Sequence, residues 1–184
     1  MAYLTSMPDA GLKEVLRMEP ALGVPIAEYH QALLRGPSPF TEGERELIGG
    51  YISGLNACGF CFGEHQAVAE KMGIEAGVMD ALMSDVETAP VSDKMKVILK
   101  FVKKLNDTPN RMTPDDAAAV HAAGWDDTAL YHAVSVCALF NMNNRIINGL
   151  GIPAHDPDAL DGIASRLVDR GYDSTIGFIK GDWE

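Results

Sequence analysis

The stretch "ERELIGGYISGLNACGFCFGEHQAVAEKMG", residues 44–73, places two cysteines three positions apart and a histidine four positions after the second. A CxxC pair alone fits a metal knuckle, a thioredoxin-like redox pair, or a nucleophile with its own base. With a helix starting at about Cys58, the residues Cys58, Cys61 and His65 stand at i, i+3 and i+7 and share one face. The preceding segment, about 41–55, reads as a second helix, opened by Thr41 and Glu44 as a capping box. Only Asn56 and Ala57 join the two, so the helices run antiparallel or cross steeply, and Glu46 comes within reach of His65.

A thiol of ordinary acidity is only a few per cent thiolate at neutral pH, and the thiolate is the nucleophile. Neither Lys nor Arg lies between Cys58 and His65, which leaves the helix N-terminus and His65 as nearby activators. Glu46 would orient and polarise that histidine. Zinc is a rival, but Cys58, Cys61 and His65 supply at most three ligands, and no fourth stands at zinc-finger spacing. Two plain buried cysteines are the third reading.

The 184-residue chain is 47% hydrophobic, enough to bury a sizeable core, and it reads as a single helical domain over 1–184. Its formal charge of -11 argues against nucleic acid or an anionic membrane as the main partner. No apolar run has signal-peptide or membrane-span length, so the expected location is cytoplasmic. Cys58, Cys61 and Cys137 are too few for a secreted disulfide framework.

Helical punctuation recurs along the chain. Ser92 precedes "DKMKVILKFVKKL", predicting a helix over about 92–106 with Ile98, Phe101, Val102 and Leu105 inward and four lysines on another face. Thr113 is followed by Pro114, Asp115 and Asp116. The segment 127–148 reads as a long central helix, stopped by Gly149, Gly151 and Pro153. No stretch alternates as a strand, so the expected class is all-α, and the strand–helix setting of a thioredoxin fold is missing.

A Glu twelve positions before a CxxC, with a His four after the second Cys, resembles the signature of the alkylhydroperoxidase D-like (AhpD-like) branch of the carboxymuconolactone decarboxylase family. With "FNMNNRIINGLGIP" (140–153), the resemblance covers about 41–152, and the extended N-terminus is similar to the peroxidase-related subgroup. The resemblance implies an AhpD-like helical bundle and a homo-oligomer. It implies a cofactor-free thiol peroxidase in which Cys61 attacks a hydroperoxide, Cys58 resolves the sulfenic acid, and His65 with Glu46 relays protons. The partners so implied are the hydroperoxide and a dithiol reductant or reductase. Some peroxidase members carry a His between the cysteines where this chain has Gly59 and Phe60. Family decarboxylases lack the CxxC pair, which counts against that activity here. A non-enzymatic helical oligomer that senses redox state or binds metal is the alternative from a different class.

Among the remaining candidates, Cys137 lies in an apolar helical run and reads as core. His30, His121, His132 and His155 have no motif around them. Asn141, Arg145 and Asn148 share a helical face suited to substrate, a subunit contact or capping. Ile176, Phe178 and Trp183 of the tail would pack on the bundle or on a neighbouring subunit.

Overall fold

A computed structural model describes residues 1–182, and every regular element among them is a helix. In chain order they are α1 (Leu12–Met18), α2 (Pro20–Arg35), α3 (Glu42–Leu55), α4 (Gly59–Lys71), α5 (Val78–Ser84) and α6 (Asp93–Asp107). After a short 3₁₀ turn at Pro109–Arg111 come α7 (Pro114–Ala122), α8 (Asp127–Gly149), α9 (Pro157–Arg170) and α10 (Asp173–Lys180). The punctuation explains the boundaries. Thr41 accepts from the Glu44 N–H at 3.2 Å while the Glu44 carboxylate accepts from the Thr41 N–H at 2.8 Å. Ser92 and Asp126 cap α6 and α8 by accepting from Met95 and Ala129. Each satisfies first-turn donors that have no partner inside the helix.

The expected helix pair is present as α3 and α4, which pack on each other more extensively than any other two helices. Their connection turns at Ala57, whose φ of 51° lies in the left-handed region, and α4 begins at Gly59 with Cys58 as its N-cap. The expected central helix, α8, packs on α3 and α6, but α3 is the more enclosed: every residue from Arg45 to Ser53 is buried. Gly49 permits this closeness, because a Cβ there would lie 2.3 Å from the Phe140 ring of α8. A glycine in a helix interior costs about 1 kcal/mol relative to alanine, which the closer helix approach offsets.

The main core runs through α2 to α9 around Tyr51, Phe140, Ile98 and Leu99. Cys58 and Cys61 belong to a smaller apolar cluster with Phe60, Ile147 and Ile152. The tail packs on this chain's own bundle: α10 lies against α1 and α2, with Ile179 among Leu16 and Ala27. Trp183 lies outside the described residues. No helix among the described residues is long and apolar enough to cross a membrane.

Candidate active site

Of the four residues singled out by spacing, Cys58 and Cys61 stand at the α3–α4 junction, and Glu46 meets His65 further along the same helix pair. Glu46 is 0% exposed and its Oε2 lies 2.5 Å from His65 Nδ1. Its other oxygen, Oε1, pairs with Arg35 Nη1 of α2 at 2.5 Å and accepts from the Tyr172 hydroxyl at 3.4 Å. Burial alone would raise the Glu46 pKa, but His65 and Arg35 overcome it and hold the carboxyl below its ordinary range. Burial alone would lower the His65 pKa, and the Glu46 charge and hydrogen bond overcome that too, raising it. The histidine is therefore biased toward its protonated form, with Glu46 fixing the ring. Phe140 packs edge-on against the same ring with centroids 4.5 Å apart.

The two thiols are pushed in opposite directions. The Cys61 thiol, its backbone N–H, the Asn144 amide and the charge of His65 pull Cys58 down to about 6, against the effect of burial. Cys61 is pushed well up, first because it gives its hydrogen to Cys58 and then by burial and the Cys58 charge. Both thiols are free, and Cys58 is fully buried. Asn144 is itself held: its Nδ2 donates to Ser53 Oγ at 3.0 Å and its Oδ1 accepts from Asn56 Nδ2 at 3.0 Å. Cys137 is buried on α8 beside Asn141 and Val102, and burial raises its pKa to about 11, as suits an inert core thiol.

Access separates the cysteines. A cavity of about 240 Å³ opens between α1, α2, α4, α9 and α10, and Cys61 and His65 line it whereas Cys58 does not. Leu12, Leu16, Ile163 and Leu167 make its walls apolar. His30 and Asn143 also border it. His30 is held near pKa 4, chiefly by burial, and is neutral at pH 7; its Nδ1–H donates to the Ile26 carbonyl at 2.8 Å. Its bare Nε2 must then accept from Asn143 Nδ2, 2.5 Å away, which leaves Asn143 Oδ1 a buried acceptor with no partner. On the other side of Cys61, Glu64 Oε2 and His155 Nε2 are 2.9 Å apart, and the His155 ring packs 4.1 Å from that of Phe60.

The structure thus places Glu46 against His65 and Cys58 beside Cys61, as the spacing expects, and adds contacts that spacing does not reveal from Arg35, Tyr172, Asn143, Asn144 and the Glu64–His155 pair. Asn141, Arg145 and Asn148 do not border the cavity; Asn148 and Arg145 face a separate shallow cleft with Asn56 and Asn144. His121 sits beside Trp125 and Asp127, and His132 beside Tyr131, away from the cysteines. Among the described residues no group of three or more His, Cys, Asp or Glu side chains is arranged to hold a metal ion.

No family model matches the sequence, and no curated protein matches it. Solved structures do. An uncharacterised peroxidase-related protein from Silicibacter sp. TM1040 superposes with a TM-score of 0.74 at 20% identity, covering 78% of this chain and 75% of that one. An uncharacterised peroxidase-related protein with an alkylhydroperoxidase AhpD core, from Ralstonia eutropha JMP134, gives 0.74 at 23% identity over 82% and 78%. A protein of unknown function from Agrobacterium tumefaciens, proposed to be an antioxidant defence protein AhpD, gives 0.66 at 17% identity over 85% and 99%. The chain therefore has the all-α fold of the AhpD-like, peroxidase-related proteins.

Proposed function

We propose that the chain is a cofactor-free thiol peroxidase that reduces organic hydroperoxides through a Cys58/Cys61 dithiol–disulfide cycle. The observation that carries this reading is the opening of Cys61 onto an apolar cavity beside a histidine that buried Glu46 keeps positively biased. The Cys61 thiolate attacks the terminal oxygen of the hydroperoxide and the O–O bond breaks. Cys61 becomes a sulfenic acid, and the leaving alkoxide takes a proton from His65 to depart as the alcohol. Cys58 then attacks the Cys61 sulfur, water leaves, and the disulfide forms. Two electrons and two protons from a dithiol reductant restore the pair. The apolar walls favour an alkyl hydroperoxide, and the unpartnered Asn143 Oδ1 is an acceptor for its O–H. The working form in this reading is a homo-oligomer in the cytoplasm.

The hydrogen bond from Cys61 to Cys58 raises the Cys61 pKa and lowers that of Cys58, so attack by Cys61 requires its proton to be passed on first. The same observation favours a second reading in which Cys58, the N-cap of α4 with a pKa near 6, attacks and Cys61 resolves. Against it, Cys58 is fully buried and off the cavity wall. Stoichiometric reaction with cumene hydroperoxide decides. With Cys61 attacking, Cys58→Ser consumes one equivalent and leaves a trappable sulfenic acid, while Cys61→Ser consumes none. The reverse pattern exchanges the roles, and no consumption by the wild type, with a dithiol present, sinks the peroxidase reading.

A further inference from the structure

The rim of the Cys61 cavity carries charge of one sign. Of the residues bordering the cavity, the two that are exposed are Lys13 and Arg166, both cations, on a chain whose formal charge is -11. The carboxylates on the same wall are already engaged. Glu14 accepts from the Gly11 N–H at 3.0 Å as part of the α1 cap, and Glu64 pairs with His155 at 2.9 Å. Lys13 keeps a loose contact with Glu14 at 3.8 Å and sits 4.9 Å from the centre of the Phe178 ring. Among the described residues Arg166 has no charged partner. The same cavity is lined by the aliphatic side chains Leu12, Leu16, Ile163 and Leu167.

We propose that the cavity takes an amphipathic carboxylate, with its aliphatic chain between those walls, its anionic head at Arg166 and Lys13, and its reacting oxygen at Cys61. This rests on the thiol-peroxidase reading and narrows its substrate to a carboxylated aliphatic hydroperoxide. A neutral head would leave Lys13 with only its loose Glu14 and Phe178 contacts and would add no charge complement to Arg166. A carboxylate gains a guanidinium that accommodates it in bidentate fashion, while the chain leaves water for an apolar lining. The redox step is unchanged: the O–O bond breaks at Cys61 and the alkoxide becomes the alcohol, the carboxylate remaining a spectator at the rim.

The test uses unreactive probes, so that it does not depend on turnover. Alkylation of Cys61 by iodoacetamide, read by peptide mapping, is followed with octanoate or methyl octanoate present, in the wild type and in the Lys13→Gln, Arg166→Gln double variant. Both substituted positions are exposed. Octanoate should protect Cys61 at lower concentration than its ester, and the double variant should erase that advantage while leaving ester protection unchanged. The half-protecting octanoate concentration should rise about two- to fivefold for each cation removed, the range of an exposed ion pair. Octanoate that protects no better than the ester, or that keeps its advantage in the double variant, overturns the proposal. If the charge-dependent protection is found but a fatty-acid hydroperoxide is not reduced, the ligand class stands and the peroxidase reading falls.

Discussion

Two histidine–carboxylate pairs meet one cavity, Glu64–His155 directly and Glu46–His65 through its histidine, and burial makes them different objects. Glu46–His65 has side chains 0% and 5% exposed, and a third charge, Arg35, completes it. Glu64–His155 is 15% and 23% exposed and, among the described residues, stands without a third charge in contact. In the inner cluster each charge compensates the desolvation of another, so removing one strands the rest. The outer pair is partly solvated and contributes little stability, yet its charge still acts on the thiol next to it. The same two residue types thus couple stability to thiol tuning in one place and act on the thiol with little stability at stake in the other.

The largest expected effect comes from breaking the inner pair. Glu46→Ala leaves the Arg35 guanidinium, only 7% exposed, with just the looser 3.6 Å contact to half-exposed Glu42, and should cost about 3–5 kcal/mol in urea unfolding. Glu64→Ala should cost under about 1 kcal/mol. Equal costs would remove the burial contrast.

Acid should expose the next largest effect, through a third histidine. Folded His30 has a pKa near 4, below its unfolded value near 6.5, so the unfolded chain takes up the proton first. Stability is then lost as pH falls from about 6.5 to about 4, by roughly 3 kcal/mol in total. His65 has the opposite sign: its folded pKa is raised, so its contribution is fully present below 6.5 and is lost as pH rises through the folded value. Glu46, held low, contributes above the ordinary carboxylate range and is lost as pH falls through its depressed value. Urea unfolding of wild type and His30→Gln at pH 7 and pH 5 isolates the first of these. The variant should lose less on acidification, and an unchanged difference would show that His30 does not carry it.

Gly49→Ala tests how the inner histidine is held in place. The new Cβ would meet the Phe140 ring at 2.3 Å, and that ring braces His65. An overpacked core of this kind costs about 1–3 kcal/mol, measured by thermal unfolding, and the His65 ring resonances should shift with it. A silent substitution would mean that Phe140 has room to retreat.

The same contrast explains what the sequence could reveal. Glu46, Cys58, Cys61 and His65 lie on two consecutive helices joined by a tight turn, so spacing along the chain translates directly into neighbourhood. Helix boundaries were legible for a similarly local reason: Thr41, Ser92 and Asp126 each bond within three residues. Arg35 reaches Glu46 from α2, Tyr172 from the start of α10, and His155 reaches Glu64 from the loop after α8. No period or spacing rule links such positions, because their proximity is created by helix packing. The unequal thiols were hidden as well. The activation expected from the helix N-terminus and His65 is joined by Asn144, from a helix remote in sequence, and by the Cys61 thiol, whose hydrogen bond lowers the Cys58 pKa while raising that of Cys61.

The smallest predicted effect sharpens the comparison most, because the two pairs should move one observable in opposite directions. Glu64 is three residues after Cys61 on α4, and its negative charge adds to the hydrogen bond to Cys58 and the burial that already hold the Cys61 thiol protonated. Replacing it by the neutral isostere should therefore lower the pH midpoint of Cys61 alkylation. The expected shift is a few tenths of a unit, about a two- to threefold gain in thiolate near neutrality. Stability should change by less than about 1 kcal/mol, since the pair is partly solvated. Glu46→Gln removes the charge that favours protonated His65, so it should raise the midpoint for alkylation of the cysteine pair and cost stability as well. A Glu64→Gln protein with an unchanged or raised midpoint would show that the outer charge does not reach the sulfur, and would leave Glu64–His155 a surface contact with no bearing on the thiols.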